Sequence, residues 1–231
     1  MDNLAPLLSV RDVTNVYSSR KLGLLGKKEV KPVLDRVNLE LHSGEIFGLT
    51  GKSGCGKTTL ARCILGLIDY QGEILFNGQK TVKRARQVQM VFQDAGDSLN
   101  PAMKIGWLME EPLVIHRMGT PEERRRKADA MLLRVGLDPS YKKRRVNELS
   151  GGQKQRVCIG RALILEPKLL IADEAVSSLD VSTGAQILNL FRELHAGSGL
   201  SLLFISHNSD AVSYLCSRIA VMKDGKIDIS G

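Results

Sequence analysis

The chain of 231 residues is long enough for one large domain, or for one domain that carries a smaller lobe. Hydrophobic residues make up 43% of it and charged residues 25%, which is ordinary for a globular protein, and no apolar run approaches the roughly 20 residues that cross a bilayer. The net charge of +8 is compatible with nucleic acid, an anionic membrane surface or anionic small molecules as partners.

Most of the excess positive charge lies in residues 116–145, which hold ten Lys/Arg and four Asp/Glu. Because only 4% of the chain is aromatic, the stacking rings of single-strand binders are lacking. We interpret the stretch as a solvated basic helical face near lipid headgroups, and we expect no nucleic acid among the partners. The first ten residues do not resemble a signal peptide, and the four cysteines form no C-x-x-C pair, so a cytosolic chain with reduced thiols is predicted.

The first part of the chain contains signals for strands. Residues 37–42 alternate between apolar and polar side chains, which predicts a half-exposed strand with antiparallel pairing. Residues 45–50 form an apolar run that leads into glycines, so a buried strand is predicted there. Two more strands are predicted at 72–78 and 88–93.

Helical signals replace strand signals between about residue 100 and residue 149. Thr120 is predicted to cap a helix, with Pro121 at its first position and Glu123 three residues after the cap. Gly136 is predicted to end this helix, whose apolar residues fall on one face.

Helices and strands alternate in the rest of the chain, as in an α/β protein. The predicted elements are a helix from Ser150 to about Glu166, a buried strand at 168–173, a helix over 181–196 closed by Gly197, a buried strand at 200–206 and a hairpin that turns at Asp224-Gly225.

Residues 51–58, GKSGCGKT, match the pattern G-x-x-x-x-G-K-[ST] between a predicted strand and a predicted helix. The glycines allow backbone N–H groups to point at phosphate oxygens, and the helix N terminus adds a positive dipole end. Lys57 is predicted to reach the β- and γ-phosphates, and the Thr58 hydroxyl to bind Mg²⁺. The candidate nucleotide-binding residues are Gly51, Lys52, Ser53, Gly54, Cys55, Gly56, Lys57, Thr58 and Thr59.

The segment at 168–174, KLLIADE, is a predicted buried strand that ends in two carboxylates. Asp173 is predicted to hold Mg²⁺ through water, and Glu174 to polarise the attacking water as a general base. Two interpretations of Gln93 stay open. It either contacts Mg²⁺ or the lytic water, or it is an ordinary residue at the end of a strand. His207 is either a satisfied polar residue or a contact of the γ-phosphate. These motifs indicate a P-loop ATPase or kinase without deciding between the two.

Residues 149–153, LSGGQ, predict a second helix N terminus, with Ser150 as its cap and free N–H groups behind it. The sequence alone does not say whose phosphates this end would bind. Together with the phosphate loop, Gln93, LLIADE, SSLD at 177–180 and His207, the LSGGQ motif resembles the ATP-binding-cassette ATPases. In that family two such domains pack head to tail, and each ATP lies between the phosphate loop of one and the LSGGQ of the other.

The resemblance implies further roles for individual residues. Ser150, Gly151, Gly152 and Gln153 would bind a partner's nucleotide, Tyr17 would stack on the adenine, and Asp180 would couple the two sites across the dimer. It also implies a P-loop NTPase core with a mixed sheet, an N-terminal antiparallel β-subdomain and an inserted α-helical subdomain. We expect one domain over residues 1–231, with the core and β-subdomain at 1–95 and 150–231 and the helical subdomain at 96–149.

A narrower likeness concerns function. VFQDAGDSLNPAMKIG, VSSLDVS and YSSRKLGLLGKK resemble segments of the ATPases of bacterial oligopeptide, dipeptide and nickel importers. GGQKQRVCIGRAL is more similar to the second of the two ATPase subunits that these importers commonly use. The chain departs from the pattern at Ala95 and Ala175, where proline is usual, and at Ser178, where alanine is usual.

This likeness implies an energy-coupling ATPase with ATP and Mg²⁺ as cofactors, peripheral to the cytoplasmic face of the membrane. The expected partners are a second ATPase subunit, in a heterodimer or alternatively a homodimer, the permease subunits, and indirectly an extracytoplasmic binding protein. The cargo, peptide or nickel chelate, stays open. The alternatives are a cassette protein that acts on DNA or ribosomes and a small-molecule kinase, for which LSGGQ would have no use.

Overall fold

The structure is a computed structural model that describes residues 5–16, 32–80, 86–93 and 95–228. The strands are β1 Leu8–Asn15, β2 Leu34–Leu41, β3 Ile46–Thr50, β4 Gln71–Phe76, β5 Val88–Val91, β6 Leu169–Asp173, β7 Ser201–Ile205, β8 Arg218–Lys223 and β9 Lys226–Asp228. The helices are α1 Lys57–Ile64, α2 Ala95–Ser98, α3 Ile105–Ile115, α4 Pro121–Arg134, α5 Gly151–Leu163, α6 Val181–Ser198 and α7 Ser209–Leu215, with 3₁₀ helices at Pro139–Lys143 and Val146–Glu148.

A six-stranded mixed sheet forms the centre of the fold, in the order β5-β6-β7-β3-β8-β9. All neighbours in it are parallel except β9, which pairs antiparallel with β8. The middle strands β6 and β7 are buried at every residue, as expected for parallel strands covered on both faces. Since these strands are parallel, their carboxyl ends lie at one edge of the sheet.

Alternate residues of the central strands enter two separate hydrophobic clusters. Leu203 and Ile205 of β7 belong to the cluster that contains α1 and the N-terminal strands. Leu202 and Phe204 belong to the cluster that contains α3 to α7. The sheet therefore divides the core into two layers, and each layer is closed by a different set of elements.

A three-stranded antiparallel sheet, in the order β2-β1-β4, packs on the first layer. The alternation of buried and more exposed residues along β2 confirms the predicted half-exposed antiparallel strand. The sequence analysis missed β1. Its pairing with β2 shifts register between Val10 and Val13, and Asp12 has a φ of 49°, so the period of two is broken inside the strand.

The stretch predicted to be helical contains α3, α4 and the two 3₁₀ helices. Thr120 caps α4 as predicted, because its side chain accepts a hydrogen bond from the Glu123 N–H and its own N–H donates to the Glu123 carboxylate at 2.7 Å. Gly136, with a φ of 73°, follows the end of the helix. Residues 125–127 of the basic stretch are exposed on α4, in agreement with a solvated basic face.

The ends of two later helices differ from the predictions. The helix that follows Ser150 ends at Leu163 and not near Glu166, which is left-handed with a φ of 54°. The helix α6 continues through Gly197, and Gly199 takes the left-handed conformation with a φ of 62° and donates its N–H to the His195 carbonyl. Either glycine is able to end a helix, and the left-handed φ identifies Gly199 as the one that does so here.

The hairpin of β8 and β9 confirms the predicted turn, since Asp224 and Gly225 both have positive φ angles. The short helix α7 was not predicted. Within the described residues, no helix is both long enough and apolar enough to span a bilayer.

Two glycine substitutions test where α6 ends. Gly197→Ala is expected to raise the free energy of unfolding by up to about 1 kcal/mol, because the added Cβ meets no atom within 4 Å and alanine favours a helix interior. Gly199→Ala is expected to lower it by about 1–2 kcal/mol, because alanine is strained at positive φ. Denaturant unfolding of both variants measures the two changes, and the opposite signs would place the end of the helix at Gly197.

Candidate nucleotide-binding site

The phosphate loop joins the carboxyl end of β3 to the start of α1. Gly51 has a φ of 150°, and a Cβ there would lie 2.2 Å from the Met222 carbonyl of β8, so no side chain fits. Gly56, with a φ of 116°, is the N-cap of α1 and offers no side-chain acceptor to its first N–H groups. The loop therefore presents an uncapped helix N terminus, which favours an anion.

Lys57 is buried against its own loop, where Nζ donates to the carbonyl oxygens of Gly51 at 2.8 Å and Lys52 at 3.2 Å. A cavity of about 660 Å³ lies in front of this loop. Its lining consists of Thr50, Gly51, Lys52, Ser53, Gly54, Gly56, Lys57, Thr58, Thr59, Gln93, Glu174, His207 and Val221. The loop residues expected to bind nucleotide therefore line one cavity, except Cys55, whose side chain packs against the core.

Asp173 is the last residue of β6 and is 3% exposed. Burial raises the pKa of its carboxyl, although a hydrogen bond with the Thr58 side chain and the nearby Lys57 act in the opposite direction. Its Oδ1 atom is buried without a hydrogen-bond partner among the described residues. Because an unpaired buried oxygen is costly, this position favours a cation at the loop.

Glu174 follows directly, in a left-handed conformation with a φ of 52°. Its N–H donates to the Ile205 carbonyl at the end of β7, which holds the residue at the same edge of the sheet. The carboxylate is bonded twice to one residue, His207, whose Nδ1 lies 2.9 Å from Oε2 and whose N–H donates to Oε1 at 3.2 Å. Each residue was predicted on its own, and no sequence signal indicated that Glu174 and His207 form a hydrogen-bonded pair.

Gln93 lies two residues after the end of β5, which is shorter than predicted, and its side chain lines the cavity. This location is compatible with the predicted contact of Gln93 with Mg²⁺ or with the lytic water. Tyr17 lies outside the described residues. Thr50 and Val221 also line the cavity, and no motif had indicated them.

The LSGGQ segment is elsewhere on the surface, and none of its residues lines the cavity. Ser150 caps α5 in a capping box, in which its N–H donates to Gln153 Oε1 at 3.0 Å and its Oγ accepts from the Gln153 N–H at 3.4 Å. Ser150 and Gly151 are exposed, whereas Gly152 is buried. This second helix N terminus is therefore open to solvent in the single chain.

The start of α6 packs directly on this segment. Asp180 caps α6 by accepting from the Thr183 N–H at 2.9 Å and from the Thr183 hydroxyl at 2.7 Å, and these bonds lower the pKa of the Asp180 carboxyl. The Thr183 methyl group is held so close to α5 that a Cβ at Gly152 would lie 2.4 Å from it. Gly152 is thus required for close approach of the two helices.

Comparison with known proteins identifies a family and individual relatives of the chain. Residues 34–177 match the ABC transporter family. The chain is similar to the oligopeptide transport ATP-binding protein AppF of Bacillus subtilis, with 44% identity over 97% of this chain and 71% of that protein. It is also 43% identical, over 96% of its length, to the glutathione import ATP-binding protein GsiA of Pectobacterium atrosepticum, but it spans only 37% of that protein.

Solved structures resemble the fold as a whole. The dimeric ATP-binding cassette MJ0796, bound to ADP and Pi, matches with a TM-score of 0.82 and 30% identity over 96% of both chains. CbiO1 of Clostridium perfringens, part of the complex cbiONQ, matches with a TM-score of 0.84 and 28% identity over 97% of this chain and 87% of that one. These likenesses confirm the predicted α/β cassette fold and, at the level of the family, the prediction of an ATPase. The chain belongs to the ABC transporter family, as an ATP-binding cassette.

Proposed function

We propose that this chain is the ATP-hydrolysing, energy-coupling subunit of a bacterial importer, and that it completes its catalytic sites only with a second ATPase subunit. One observation carries the proposal: two helix N termini suited to phosphate are present, and only that of α1 faces the chain's own cavity. The start of α5 is exposed and available to another chain.

The nucleotide phosphates would bind to the loop at residues 51–59, with Lys57 supplying positive charge. Asp173 lies behind the lining of the cavity, with a buried, unpartnered oxygen and a hydrogen bond with Thr58. Thr58 and Gln93 both line the cavity, so the three residues together fit a bound magnesium ion. Bound there, Mg²⁺ would neutralise charge on the phosphate oxygens. Adenine stacking by Tyr17 remains a proposal based on family resemblance.

Glu174 is proposed as the general base, because its carboxylate lies in the cavity beside the phosphate loop. His207 fixes that carboxylate through its Nδ1 atom and its N–H. The histidine ring also lines the cavity, so we retain the predicted contact with the γ-phosphate. One residue would then hold the base and the phosphate in fixed relation, which is the positioning that phosphoryl transfer requires.

The second subunit would contribute its own LSGGQ to this cavity and receive residues 150–153 of this chain in return. The dimeric form of the cassette MJ0796 supports such pairing. Asp180 is a candidate for coupling the two sites, because it links the start of α6 to α5 through Thr183. A heterodimer fits the likeness to two-ATPase importers, and a homodimer is the alternative.

A groove of about 320 Å³ between β5, α3 and α5 is a candidate contact for the permease. Phe92 and Ile115 both line it and are 41% and 66% exposed, so the groove has apolar surface that a partner could cover. Phe92 precedes Gln93, which lines the nucleotide cavity, so a permease bound at Phe92 would contact the residue next to that cavity. Permease binding there would hold the chain at the cytoplasmic face of the membrane.

The names of the relatives favour a peptide as cargo, including glutathione, and a nickel chelate remains a proposal based on the narrower resemblance. We also propose the division of the chain into a core with β-subdomain, at 1–95 and 150–231, and a helical subdomain at 96–149. This division is supported by α3, α4 and the two 3₁₀ helices, all of which lie within 96–149.

Glu174→Gln tests the base. Glutamine keeps the size of the side chain and one acceptor for His207 but cannot take a proton, so ATP binding is expected to persist while steady-state turnover falls about 10²–10⁴-fold. Nucleotide binding and phosphate release measure the two quantities. Glu166→Gln, at a carboxylate that is 69% exposed and outside the cavity, is the matched control. Normal turnover in Glu174→Gln would remove Glu174 from the role of base.

Ser150→Arg tests the trans-acting phosphate clamp. The bulk and charge would enter the partner's site without touching this chain's phosphate loop, so the isolated variant should bind Mg-ATP like the wild type. The complex purified from membranes through an affinity tag on the chain should lose ATPase activity. Thr120→Ala removes an equivalent capping box in α4 and controls for the lost cap. Undiminished activity of the Ser150→Arg complex would contradict the clamp.

Ile115→Glu tests whether the groove is the contact for the permease, and it uses the same purified complex as Ser150→Arg. Its charge is expected to weaken binding of the permease at the groove, which the amount of permease that co-purifies with the chain would report. Retention of the permease and of its stimulation of turnover would exclude the groove.

A further inference from the structure

We propose that Tyr141 is a positioning residue for the phosphate clamp: its hydroxyl holds the Gln153 side chain, which in turn holds the backbone of Ser150. The inference rests on the proposed function, in which residues 150–153 act on a partner's nucleotide. It assigns a role to a residue outside every motif of the sequence.

One side-chain amide makes both connections. Gln153 Oε1 accepts the Ser150 N–H at 3.0 Å, and Gln153 Nε2 donates to the Tyr141 hydroxyl at 3.1 Å. Since a backbone N–H is only a donor, the amide oxygen has to face Ser150, and the amino group is then directed to Tyr141. The orientation of the amide follows from its two neighbours together.

Tyr141 itself is held by local contacts. It lies in the 3₁₀ helix Pro139–Lys143 and packs, partly buried, against the core. The Arg144 guanidinium carbon lies 4.0 Å from the centroid of its ring, a cation–π contact. The adjacent Lys142 forms an ion pair of 2.5 Å with Asp129 of α4. These contacts therefore fix the position of the Tyr141 hydroxyl.

The capping box needs this support because its other bond is weak. The Ser150 Oγ to Gln153 N distance is 3.4 Å, at the long limit for a hydrogen bond. Thr183 of α6 confines Gly152, and Tyr141 of the 3₁₀ helix Pro139–Lys143 holds the side chain of Gln153. Without the hydroxyl, the Gln153 amide keeps one anchor and the exposed Ser150 is less well oriented toward a partner's phosphate.

Tyr141→Phe in the membrane-purified complex tests the proposal with Mg-ATP. Loss of one neutral hydrogen bond that positions the clamp is expected to lower kcat about 3- to 10-fold. The affinity of the isolated chain for Mg-ATP is expected to match the wild type, because its own phosphate loop is untouched. Its free energy of unfolding is expected to fall by no more than about 1 kcal/mol, the contribution of one neutral hydrogen bond. Tyr214→Phe, which removes a hydroxyl bonded to Asn189 at 2.6 Å, is the matched control and should keep wild-type kcat.

A double-mutant cycle with Gln153→Ala distinguishes positioning from simple support of the fold. If Tyr141 acts through the Gln153 amide, Tyr141→Phe causes no further loss of kcat in the Gln153→Ala complex. An equal loss in both backgrounds, or a lowered unfolding midpoint with no change in kcat, would overturn the proposal. Wild-type kcat in Tyr141→Phe beside an inactive Ser150→Arg complex would overturn this inference alone, whereas an active Ser150→Arg complex would remove the clamp and the inference with it.

Discussion

The parallel pairing of β6, β7 and β3 is the constraint on which the nucleotide site depends. Asp173 pairs with Ile205, and Ile205 pairs with Leu49, so the three strands end in register at one edge. The phosphate loop, the two carboxylates at the end of β6 and the histidine after β7 meet there, although more than 100 residues of sequence separate the phosphate loop from the carboxylates. A slip of one residue in either pairing would turn these side chains to the other face of the sheet.

Two helix N termini with the same intrinsic preference for anions have different surroundings. The start of α1 has glycine at its cap, lies in a cavity and has a lysine folded over its loop. The start of α5 is capped by its own serine, which accepts one N–H, and it faces solvent. The first therefore binds within the chain, and the second has an open side whose position is set by neighbouring elements, Thr183 from α6 and Tyr141 from the 3₁₀ helix.

Much of the site was predictable because its motifs are local. Glycine spacing and flanking elements indicated the loop that holds Lys57, and the end of a buried strand indicated Asp173 and Glu174. The pairing of Glu174 with His207 was not predictable from these signals, because the two residues are 33 positions apart and meet only through the register of β6 and β7. The end of α6 was missed for a related reason, since two glycines satisfied the same local rule.

By itself the sequence determined the features whose partners lie within three or four residues: the capping boxes at Thr120 and Ser150, the turn at Asp224-Gly225 and the curled phosphate loop. Only the tertiary structure decided which glycine has no room for a side chain, which buried oxygen lacks a partner and which tyrosine supports the clamp. The physical reason is the separation along the chain between the groups that interact. A short hydrogen-bonded ring closes through the local backbone, whereas the contact of Gly152 with Thr183, or of Gln153 with Tyr141, exists only after separate elements have packed.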